Sequence, residues 1–342
     1  ADSAFPGLER LRSKMVTTTS TEVETAAYKG QQQMPEDQTQ KNRNRLLGFL
    51  ACTVWIGTWL VMPLATTSFI WMQFGFLWAC AWWITAGMLA PAVPPSPAVR
   101  DFFRKMLYWV ESSKIIGSSM KNTSGKPTLY CHHPHGIVCI SAVVHGSPPG
   151  VKALVAPAVF LVPFCRQLME LMGSVPADKE SMQKALKTRN DFAIVPGGVA
   201  EVALTSPNAE RAYIMNRKGF IKYAMQFGYD LQPCYHFGET QQYSVMWPLD
   251  EPFFLKLRIW VANRTQLAIC ALFGDWAMPL IPRRSTNCLT VVGDRIHVPP
   301  CENPTDEQVN LLHQTYVERL QRLYNGHRHL LPEYRHKDLE LW

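Results

Sequence analysis

Residues 127–140 read PTLYCHHPHGIVCI, a stretch in which an apolar run leads into three histidines within four positions. The apolar start predicts a short strand over 127–131, and a second apolar run follows the turn. Histidine takes or gives a proton near neutral pH without much tuning, and Pro134 with Gly136 predicts a stiff, sharp bend. The pattern fits a proton-transfer site at a strand end, and it fits equally a surface turn with solvated histidines.

Composition bounds the class of protein. A chain of 342 residues allows one large domain or two ordinary ones. The net charge of +7 is spread thinly, which suits anionic lipid or a phosphorylated small substrate and argues against nucleic acid as a partner. The nine cysteines are odd in number and include no C-x-x-C, which predicts reduced, buried thiols in a cytosol-facing protein.

Residues 1–45 are polar, rich in Thr, Gln, Glu and Lys, and have almost no apolar periodicity. Such a segment cannot bury enough apolar surface to offset chain entropy, so it is predicted to be a disordered N-terminal tail. No apolar stretch lies near its start, so it does not have the pattern of a secretory signal.

Residues 46–99 contain no Asp, Glu, Lys or Arg. The run is long enough for two bilayer crossings of roughly 20 residues each. We expect them over 46–65 and 68–90, with the break at Pro63 and Thr66-Thr67. Basic residues on both sides place both ends in the cytosol, which predicts a transmembrane hairpin. The alternative is a buried core hairpin of a soluble protein.

Residues 100–342 have the composition of a globular, cytosolic α/β domain. Thr305 and Gln308 predict a capping box at the start of the last helix. Residues 101–110 are amphipathic, which fits a helix on the membrane surface or a core helix of this domain. Apolar runs that end in turns predict strands, with helices between them, at 127–131, 192–195, 231–237 and 289–298.

Three further stretches combine turns with charged side chains. Residues 194–201, IVPGGVAE, run from a strand into a Pro-Gly-Gly turn whose N–H groups suit an oxyanion or a phosphate. Residues 216–222, NRKGFIK, place basic side chains at a helix start, where phosphate binds well. Residues 233–239, PCYHFGE, form a strand that ends in Gly-Glu and fits a pocket wall. Each stretch also fits an ordinary turn or strand end.

Together the motifs resemble the type-2 diacylglycerol acyltransferase family, which includes the monoacylglycerol and wax-alcohol acyltransferases. HPHG at 133–136 is similar to the family signature, and residues 197–201 are similar to its Gly-Gly-x-x-Glu block. Residues 217–222 are similar to its Arg-x-Gly-Phe-x-Lys segment and residues 237–239 to its Phe-Gly-Glu. The ordered likeness covers roughly residues 46–335 and leaves out the tail.

The resemblance implies a glycerolipid-acyltransferase-like α/β fold, with a sheet flanked by helices and an N-terminal transmembrane hairpin as anchor. It implies acyl transfer from acyl-CoA to the free hydroxyl of diacylglycerol, at the cytosolic face of the endoplasmic reticulum membrane and at the lipid droplet surface. It requires no metal and no cofactor beyond the acyl-CoA substrate. A homo-oligomer is left open.

The resemblance also implies roles for single residues. His135 is expected to be the general base, with Glu201 fixing its tautomer and His133 orienting the loop or donating to the thioester oxygen. The wider superfamily uses a His-x4-Asp pair, but no acidic residue follows these histidines at that spacing, so Glu201 is expected to replace it. The implied substrate-binding residues are Pro134, Gly136, Pro196, Gly197, Gly198, Arg217, Lys218, Gly219, Phe220, Lys222, Phe237, Gly238 and Glu239.

Other functions remain open. The same chemistry fits monoacylglycerol or a long-chain alcohol as acceptor, since the motifs do not separate these. A non-catalytic hairpin protein that coats lipid droplets needs neither the histidines nor the Pro-Gly-Gly turn. A metal hydrolase that uses His132, His133 and His135 lacks the spacing of a tetrahedral site. The sequons at Asn122 and Asn263 are predicted to carry no sugar, because the topology places them in the cytosol.

Overall fold

A computed structural model of the chain describes residues 38–342, apart from 121–124, 146–147, 149, 246–249, 267 and 269–271, with side chains from residue 42 onward. The chain divides into two units, residues 1–43 and 44–342. Of the first unit only residues 38–43 are described, and they are helical. The predicted tail thus lies outside the described residues up to residue 37, whereas residues 38–45 belong to a helix.

The described elements are as follows in chain order. The strands are β1 Ser112–Gly117, β2 Thr128–His133, β3 Lys152–Val155, β4 Val175–Pro176, β5 Phe192–Ile194, β6 Glu210–Ala212, β7 Asp230–Phe237, β8 Ser244–Val245, β9 Leu272–Phe273, β10 Asn287–Val292 and β11 Leu339–Leu341. The α-helices are α1 Gln38–Ile56, α2 Met62–Phe74, α3 Phe76–Trp82, α4 Pro97–Arg104, α5 Ile140–His145, α6 Cys165–Leu171, α7 Lys179–Lys187, α8 Gly198–Leu204, α9 Gly219–Phe227, α10 Pro252–Thr265 and α11 Asp306–His327.

A seven-stranded sheet lies at the centre, in the order β1-β10-β7-β2-β5-β3-β4. All neighbours are parallel except β10 with β7. Every residue of β2 and of β7 is buried, as expected for strands with helices on both faces. The predicted α/β class with a helix-flanked sheet is therefore confirmed.

The last predicted strand, 289–298, is wrong beyond Val292. The chain leaves the ladder at Gly293, whose N–H donates to Pro233 O at 2.8 Å. Ile296 then makes an isolated antiparallel bridge to Leu231. The apolar pattern continues past the strand because these residues cover the end of the core, so hydropathy alone did not mark where β10 ends.

Two helical layers cover the sheet. On one face α7, α9 and α11 bury Leu186, Phe220 and Tyr316 against the odd-numbered side chains of β2. On the other face α1, α4, α5 and α6 form a second core. The predicted capping box of α11 is confirmed: Gln308 N donates to Thr305 Oγ1 at 3.3 Å, and Thr305 N donates to Gln308 Oε1 at 2.9 Å. The described cysteines are all free thiols, and most are buried.

The N-terminal helices turn at Gly75, so the predicted break at Pro63 and Thr66-Thr67 is wrong. Proline has no N–H to donate, yet the helix continues past Pro63. A π-helical turn at Gly57–Val61 comes just before it, in which Met62 N donates to Gly57 O. Gly75 has φ +92°, a conformation that glycine adopts readily. The chain then reverses, and Trp83 Nε1 donates to Thr67 Oγ1 at 2.8 Å.

One described helix, Asn42–Phe74, is long and apolar enough to cross a membrane, and Phe76–Leu89 is shorter. Only 28% of the most apolar window of the long helix is buried inside the molecule. Large apolar side chains near the Gly75 turn are exposed, among them Met72 at 75% and Leu77 at 80%. This exposure argues against the alternative of a buried core hairpin, while crossing of a membrane stays a prediction.

The amphipathic stretch 101–110 belongs to the core. α4 ends at Arg104 and a 3₁₀ turn, Lys105–Tyr108, follows. Phe103 and Met106 are buried, and the Phe103 ring lies 5.1 Å from the ring of Trp55 in α1. The apolar face of the stretch thus joins the base of the N-terminal helices to the domain, in agreement with the core-helix interpretation.

Candidate active site

His132 and His133 end β2 and point to opposite faces of the sheet, because side chains alternate along a strand. His133 faces α11 and is fully buried. Its Nδ1 lies 3.1 Å from Glu201 Oε1, and its Nε2 lies 3.1 Å from Tyr316 OH. A carboxyl oxygen accepts and a tyrosine hydroxyl donates, so both ring nitrogens of His133 are engaged within the core.

His135 is half-buried and lies in the turn that follows, after a cis peptide bond between His133 and Pro134, which is itself buried. Its Nδ1 lies 3.1 Å from Gly136 O. A carbonyl oxygen only accepts, so Nδ1 carries the hydrogen and Nε2 of the neutral ring carries the lone pair. Burial lowers the pKa of His135 below its usual 6.5, although the Glu201 charge raises it in part. His135 is therefore neutral and able to accept a proton at pH 7.

The pairing expected for Glu201 is corrected by this geometry. Glu201 lies in the first turn of α8 and is hydrogen-bonded to His133, not to His135. A side chain at Gly197 would collide with the Glu201 carboxyl group, so the glycine is what lets that carboxyl fold back toward β2. Pro196 is buried at the start of the same turn. Glu201 thus acts on the loop through His133, while the Gly136 carbonyl sets the tautomer of His135.

Gly136 has φ +61°, and a Cβ there would lie 2.5 Å from Cγ of Glu239. Glu239 is buried and accepts from Ile140 N at 2.8 Å and from Ser141 N at 3.0 Å. Burial raises the pKa of Glu239, and these hydrogen bonds lower it in part. Glu239 therefore ties the histidine turn to the start of α5, with its side chain buried.

The Phe-Gly-Glu segment is structural in its other positions too. Phe237 is fully buried among aromatic rings, with the Tyr235 ring 4.7 Å away and the Tyr334 ring 5.1 Å away. Gly238 has φ +92°, and a Cβ there would collide with Asn287 O on β10. The expectation that Phe237 and Glu239 line a substrate pocket is wrong, because both side chains point into packed structure.

A cavity of about 580 Å³ opens on the face of the sheet toward α1, α4, α5 and α6. His132, His135 and Gly198 line it on the sheet side. Its size is in the range of small-molecule sites, and its walls are mostly apolar. The apolar lining includes Trp55, Trp59, Leu60, Val138, Val143, Val155, Val159, Val162, Met169, Met172, Val199 and Val202.

The cavity reaches the base of the N-terminal hairpin. Trp59 and Leu60, at the point where the helices leave the domain, form part of its wall. Nearby, Cys165 Sγ lies 3.5 Å from Thr58 O. His135 and residues at the base of the helices expected to meet a membrane thus line the same cavity.

A chain of hydrogen-bonded polar groups runs from buried His132 across the sheet to partly buried His145 and Ser113. His132 Nδ1 lies 2.9 Å from His236 Nε2, and His236 Nδ1 lies 2.9 Å from Thr290 Oγ1. Thr290 Oγ1 lies 3.0 Å from His145 Nδ1, and His145 Nε2 lies 3.3 Å from Ser113 Oγ. Burial, followed by the neighbouring histidine charges, lowers the pKa of His236 well below 6.5, and burial lowers the pKa of His145 to about 4. These two rings are neutral at pH 7.

The basic stretch 216–222 lies away from the cavity. Lys218, Gly219 and Lys222 line a separate hollow of about 330 Å³ together with Asp306. Phe220 is buried, with its ring 5.0 Å from the ring of Tyr316. The structure therefore places this stretch on the α11 side of the sheet, whereas His135 faces the other side.

Arg217 is held by two neighbours. Its Nη2 donates to Asn263 Oδ1 at 3.1 Å, and its guanidinium lies 4.9 Å from the centre of the Tyr213 ring. Asn263 is the asparagine of one sequon, and its Nδ2 donates to Tyr213 OH at 3.1 Å. The sequon at Asn122 lies outside the described residues.

Sequence reasoning did not assign four residues to the cavity: His132, which was considered only as a metal ligand, His236, Arg100 and Arg104. His132 adjoins the signature, and the alternation of a strand gave a signal that it faces away from His133. The two arginines follow the charge-free run and were taken only as topology markers. His236 gave no signal, because its contact with His132 depends on the pairing of β7 with β2.

Three comparisons relate the chain to known proteins. A family model described as diacylglycerol acyltransferase matches residues 120–341. Diacylglycerol O-acyltransferase 2 of Xenopus laevis is 30% identical over 223 residues, which are 58% of this chain and 60% of that protein. Acyl-CoA wax alcohol acyltransferase 2 of Mus musculus is 30% identical over 220 residues, 58% of this chain and 65% of that protein.

Among solved structures, the 1-acyl-sn-glycerophosphate (LPA) acyltransferase PlsC of Thermotoga maritima aligns with a TM-score of 0.41 at 11% identity. The alignment covers 82% of this chain and 95% of that one.

The chain spans about three fifths of the length of the curated relatives it matches. The range matched by the family model, residues 120–341, is well over half of the chain and contains all four motifs. The chain belongs to the diacylglycerol acyltransferase family, as the motifs predicted.

Proposed function

We propose that this protein transfers a fatty acyl group from acyl-CoA to the free hydroxyl of diacylglycerol, producing triacylglycerol. The observation that carries the proposal is the lone pair of His135 Nε2, which the Gly136 carbonyl leaves available beside an apolar cavity of about 580 Å³. A relative named diacylglycerol O-acyltransferase 2 supports diacylglycerol as the acceptor.

The reaction begins at the acceptor hydroxyl. An alcohol is a weak nucleophile until its proton is being removed, and His135 Nε2 accepts that proton as the oxygen attacks the thioester carbonyl. The tetrahedral intermediate collapses, the C–S bond breaks, and the His135 imidazolium returns the proton to the leaving thiolate. Atoms and charge balance without an acyl-enzyme.

The other motif residues act on this step from a distance. His133 is hydrogen-bonded to Glu201 and Tyr316, and it holds the turn that carries His135 in place. Both His133 and Glu201 are therefore positioning residues. The Gly198 N–H already donates to Val195 O at 3.0 Å, so it is not an oxyanion donor. We assign that role to backbone donors beside Gly136 and Gly197.

The apolar approach suits substrates that dissolve in membranes. We infer that the hairpin enters the membrane from the cytosolic side, at the endoplasmic reticulum and at lipid droplets, and that acceptor and acyl chain reach His135 past Trp59 and Leu60. Exposed apolar side chains around Gly75 support this placement, since water is a poor solvent for them.

The test is a transfer assay with purified full-length protein and labelled oleoyl-CoA. Diacylglycerol, monoacylglycerol and a long-chain alcohol are offered in parallel, and the labelled products are separated and counted. We expect triacylglycerol to be the main product. Faster turnover of the alcohol would assign the chain to wax synthesis, to which a second relative points by name. No transfer to any acceptor would overturn the proposal.

A further inference from the structure

Two arginines of α4 face the cavity that contains His135. Arg100 and Arg104 are one helical turn apart, so both lie on the same side of α4. Among the described residues that line the cavity, they are the only Lys or Arg, and no Asp or Glu lines it. A mostly apolar cavity therefore has two positive charges in its wall.

These two guanidinium groups are only partly satisfied by the protein. Arg100 Nη2 donates to Met172 O at 3.1 Å. Arg104 Nη1 is 3.7 Å from Asp101 Oδ1, and its buried Nε has no hydrogen-bond partner within the described part of the chain. An unpaired buried donor is destabilising, so a ligand that brings acceptor oxygens here gains the hydrogen bonds that the protein lacks.

The nearby Arg166 shows what a structural arginine looks like in this fold. Its Nε donates to Glu170 Oε1 at 2.9 Å, and its Nη1 donates to Gly87 O at 3.0 Å and to Met88 O at 2.7 Å. Arg166 thus joins the helical hairpin to α6, with a carboxylate to balance its charge. Within the described part of the chain Arg104 has no such set of acceptors, and it lines the His135 cavity, which Arg166 does not.

We propose that Arg100 and Arg104 bind phosphate groups of the acyl donor, and this rests on the proposed function. The cavity combines apolar walls with positive charge, so it suits a ligand with an apolar tail and an anionic head. Acyl-CoA has both parts, whereas diacylglycerol is neutral. Guanidinium matches phosphate oxygens in two-point hydrogen bonds. In apolar surroundings such a charge acts more strongly than in water.

This assignment differs from the one expected from sequence. Lys218 and Lys222 line a hollow that shares none of its described lining residues with the His135 cavity. Arg100 and Arg104 line the same cavity as His135, so a donor held by them delivers its acyl group directly to the proposed base.

The test compares two oleoyl thioesters that differ in phosphate. Oleoyl-CoA carries phosphates, and the oleoyl thioester of N-acetylcysteamine carries none. For Arg104→Gln we expect the KM of oleoyl-CoA to rise about 10-fold, while the KM of the phosphate-free thioester and both kcat values stay at wild-type values. Arg104→Lys keeps the positive charge but loses the planar guanidinium that makes two hydrogen bonds at once, so we expect a smaller rise in the KM of oleoyl-CoA. Arg100→Gln is expected to behave like Arg104→Gln.

Lys105→Gln is the matched control, because it removes one positive charge at the next residue, which does not line the cavity. It is expected to leave both KM values unchanged. If Arg104→Gln leaves the KM of oleoyl-CoA unchanged, or raises both KM values equally, the proposal is overturned. The double variant Lys218→Gln, Lys222→Gln tests the site expected from sequence. A higher KM for oleoyl-CoA in this double variant, with an unchanged KM in Arg104→Gln, would support that site and overturn our proposal.

A lipid headgroup is the other source of phosphate. Flotation with vesicles of phosphatidylcholine, alone or with phosphatidate, separates the two. We expect Arg104→Gln to float like wild type with both. Weaker flotation with phosphatidate only, joined to an unchanged KM for oleoyl-CoA, would assign the arginines to the membrane and overturn the proposal.

Direct binding separates this inference from the proposed function. Oleoyl-CoA is titrated against the intact protein without acceptor, and tryptophan fluorescence is recorded. About 10-fold weaker binding by Arg104→Gln supports the phosphate site even if no acceptor is acylated. Equal binding by Arg104→Gln and wild type overturns it, whichever acceptor the enzyme uses.

Discussion

A single hydrogen bond decides which nitrogen of His135 is basic. In many hydrolases a carboxylate holds the imidazole of the catalytic histidine, which both sets its tautomer and stabilises its charged form. Here the Gly136 carbonyl at 3.1 Å sets the tautomer, and the Glu201 carboxylate is bonded to His133 instead. Burial therefore favours the neutral form of His135, while the Glu201 charge and backbone hydrogen bonds stabilise the protonated form in part.

Replacing Glu201 tests this division of roles. Glu201→Ala leaves the buried Nδ1 of His133 without its acceptor, so we expect a large fall in kcat with little change in the KM of acyl-CoA. Glu201→Gln keeps an acceptor oxygen and is expected to recover part of the rate. Both variants remove a charge that raises the pKa of His135, so the acidic limb of the pH–rate profile moves to lower pH. An unmoved limb in both variants would contradict this account.

Gly136 is required for two separable reasons, and substitution by alanine shows both. Any non-glycine residue is strained at φ +61°, and a Cβ would in addition push Glu239 off the start of α5. Gly125, at φ +72° with open space where a Cβ would lie, is a control for strain alone. By thermal unfolding, we expect Gly136→Ala to destabilise by about 1–3 kcal/mol more than Gly125→Ala. Equal destabilisation would mean that the Glu239 contact contributes nothing.

At the scale of elements, the pairing of β7 with β10 builds the chain of hydrogen-bonded polar groups. Thr290 lies opposite His236 in the antiparallel register, and its hydroxyl joins His236 to His145. Thr290→Val keeps the shape but removes the hydroxyl, so a ring nitrogen of buried His236 and one of partly buried His145 lose a partner. We expect a loss of about 1–3 kcal/mol in unfolding free energy, measured by thermal or chemical denaturation.

The serine variant is the control for that prediction. Thr290→Ser restores the hydroxyl and is expected to recover most of the stability. Because His132 lines the cavity and is bonded to His236, the valine variant is also expected to lower kcat. Wild-type stability in Thr290→Val, or a serine variant no better than valine, would show that the chain is not a stabilising network.

The sequence predicts some parts of this site well, because local rules control them. The strand over 127–131, the turn at Pro134 and Gly136 and the capping box at Thr305 follow from spacing and residue type within a few positions. The predicted helix break at Pro63 is wrong. A π-helical turn just before the proline keeps the backbone hydrogen-bonded, and residue propensity does not reveal such a turn.

Other parts depend on which elements meet, and no local pattern carries that information. Glu201 is within reach of two histidines of the same motif, and the choice of His133 follows from the position of α8 behind β2. The basic residues 217–222 match a motif, yet α9 packs against α11, so they open away from the cavity. The order of the motifs along the chain was therefore enough to predict the family. Which side chains pair with one another could be read only from the sheet topology.

For the whole molecule, the length of the hairpin limits how it meets a membrane. The helices leave the domain near Thr58 and Gly87, which contact Cys165 and Arg166. Each leg beyond these contacts has about 12 to 16 residues, or about 20 Å of helix at 1.5 Å per residue, less than a hydrocarbon core of about 30 Å. We therefore expect the tip to enter the bilayer without emerging on its far side, in place of the two full crossings predicted from the sequence.

Cysteine labelling tests that depth. In a Cys80→Ser background, Leu77→Cys places a thiol at the exposed tip, while Leu311→Cys places one on the exposed face of α11. In sealed microsomes we expect a membrane-impermeant maleimide to label position 311 from outside and to leave position 77 unlabelled, by peptide mass spectrometry, even when the reagent is also loaded inside. Labelling of position 77 from the luminal side would instead establish two full crossings.

The most direct test of the central claim is the pH dependence of acyl transfer to diacylglycerol in wild type and in His135→Ala. In the proposed mechanism the neutral imidazole is the base, and burial lowers its pKa, so the midpoint of the acidic limb of kcat/KM is expected below pH 6.5. The alanine variant is expected to lose about 10²- to 10⁴-fold in kcat, together with that acidic limb. Wild-type turnover in His135→Ala, or an acidic limb at or above pH 6.5 in wild type, would contradict the assignment of His135 as the base.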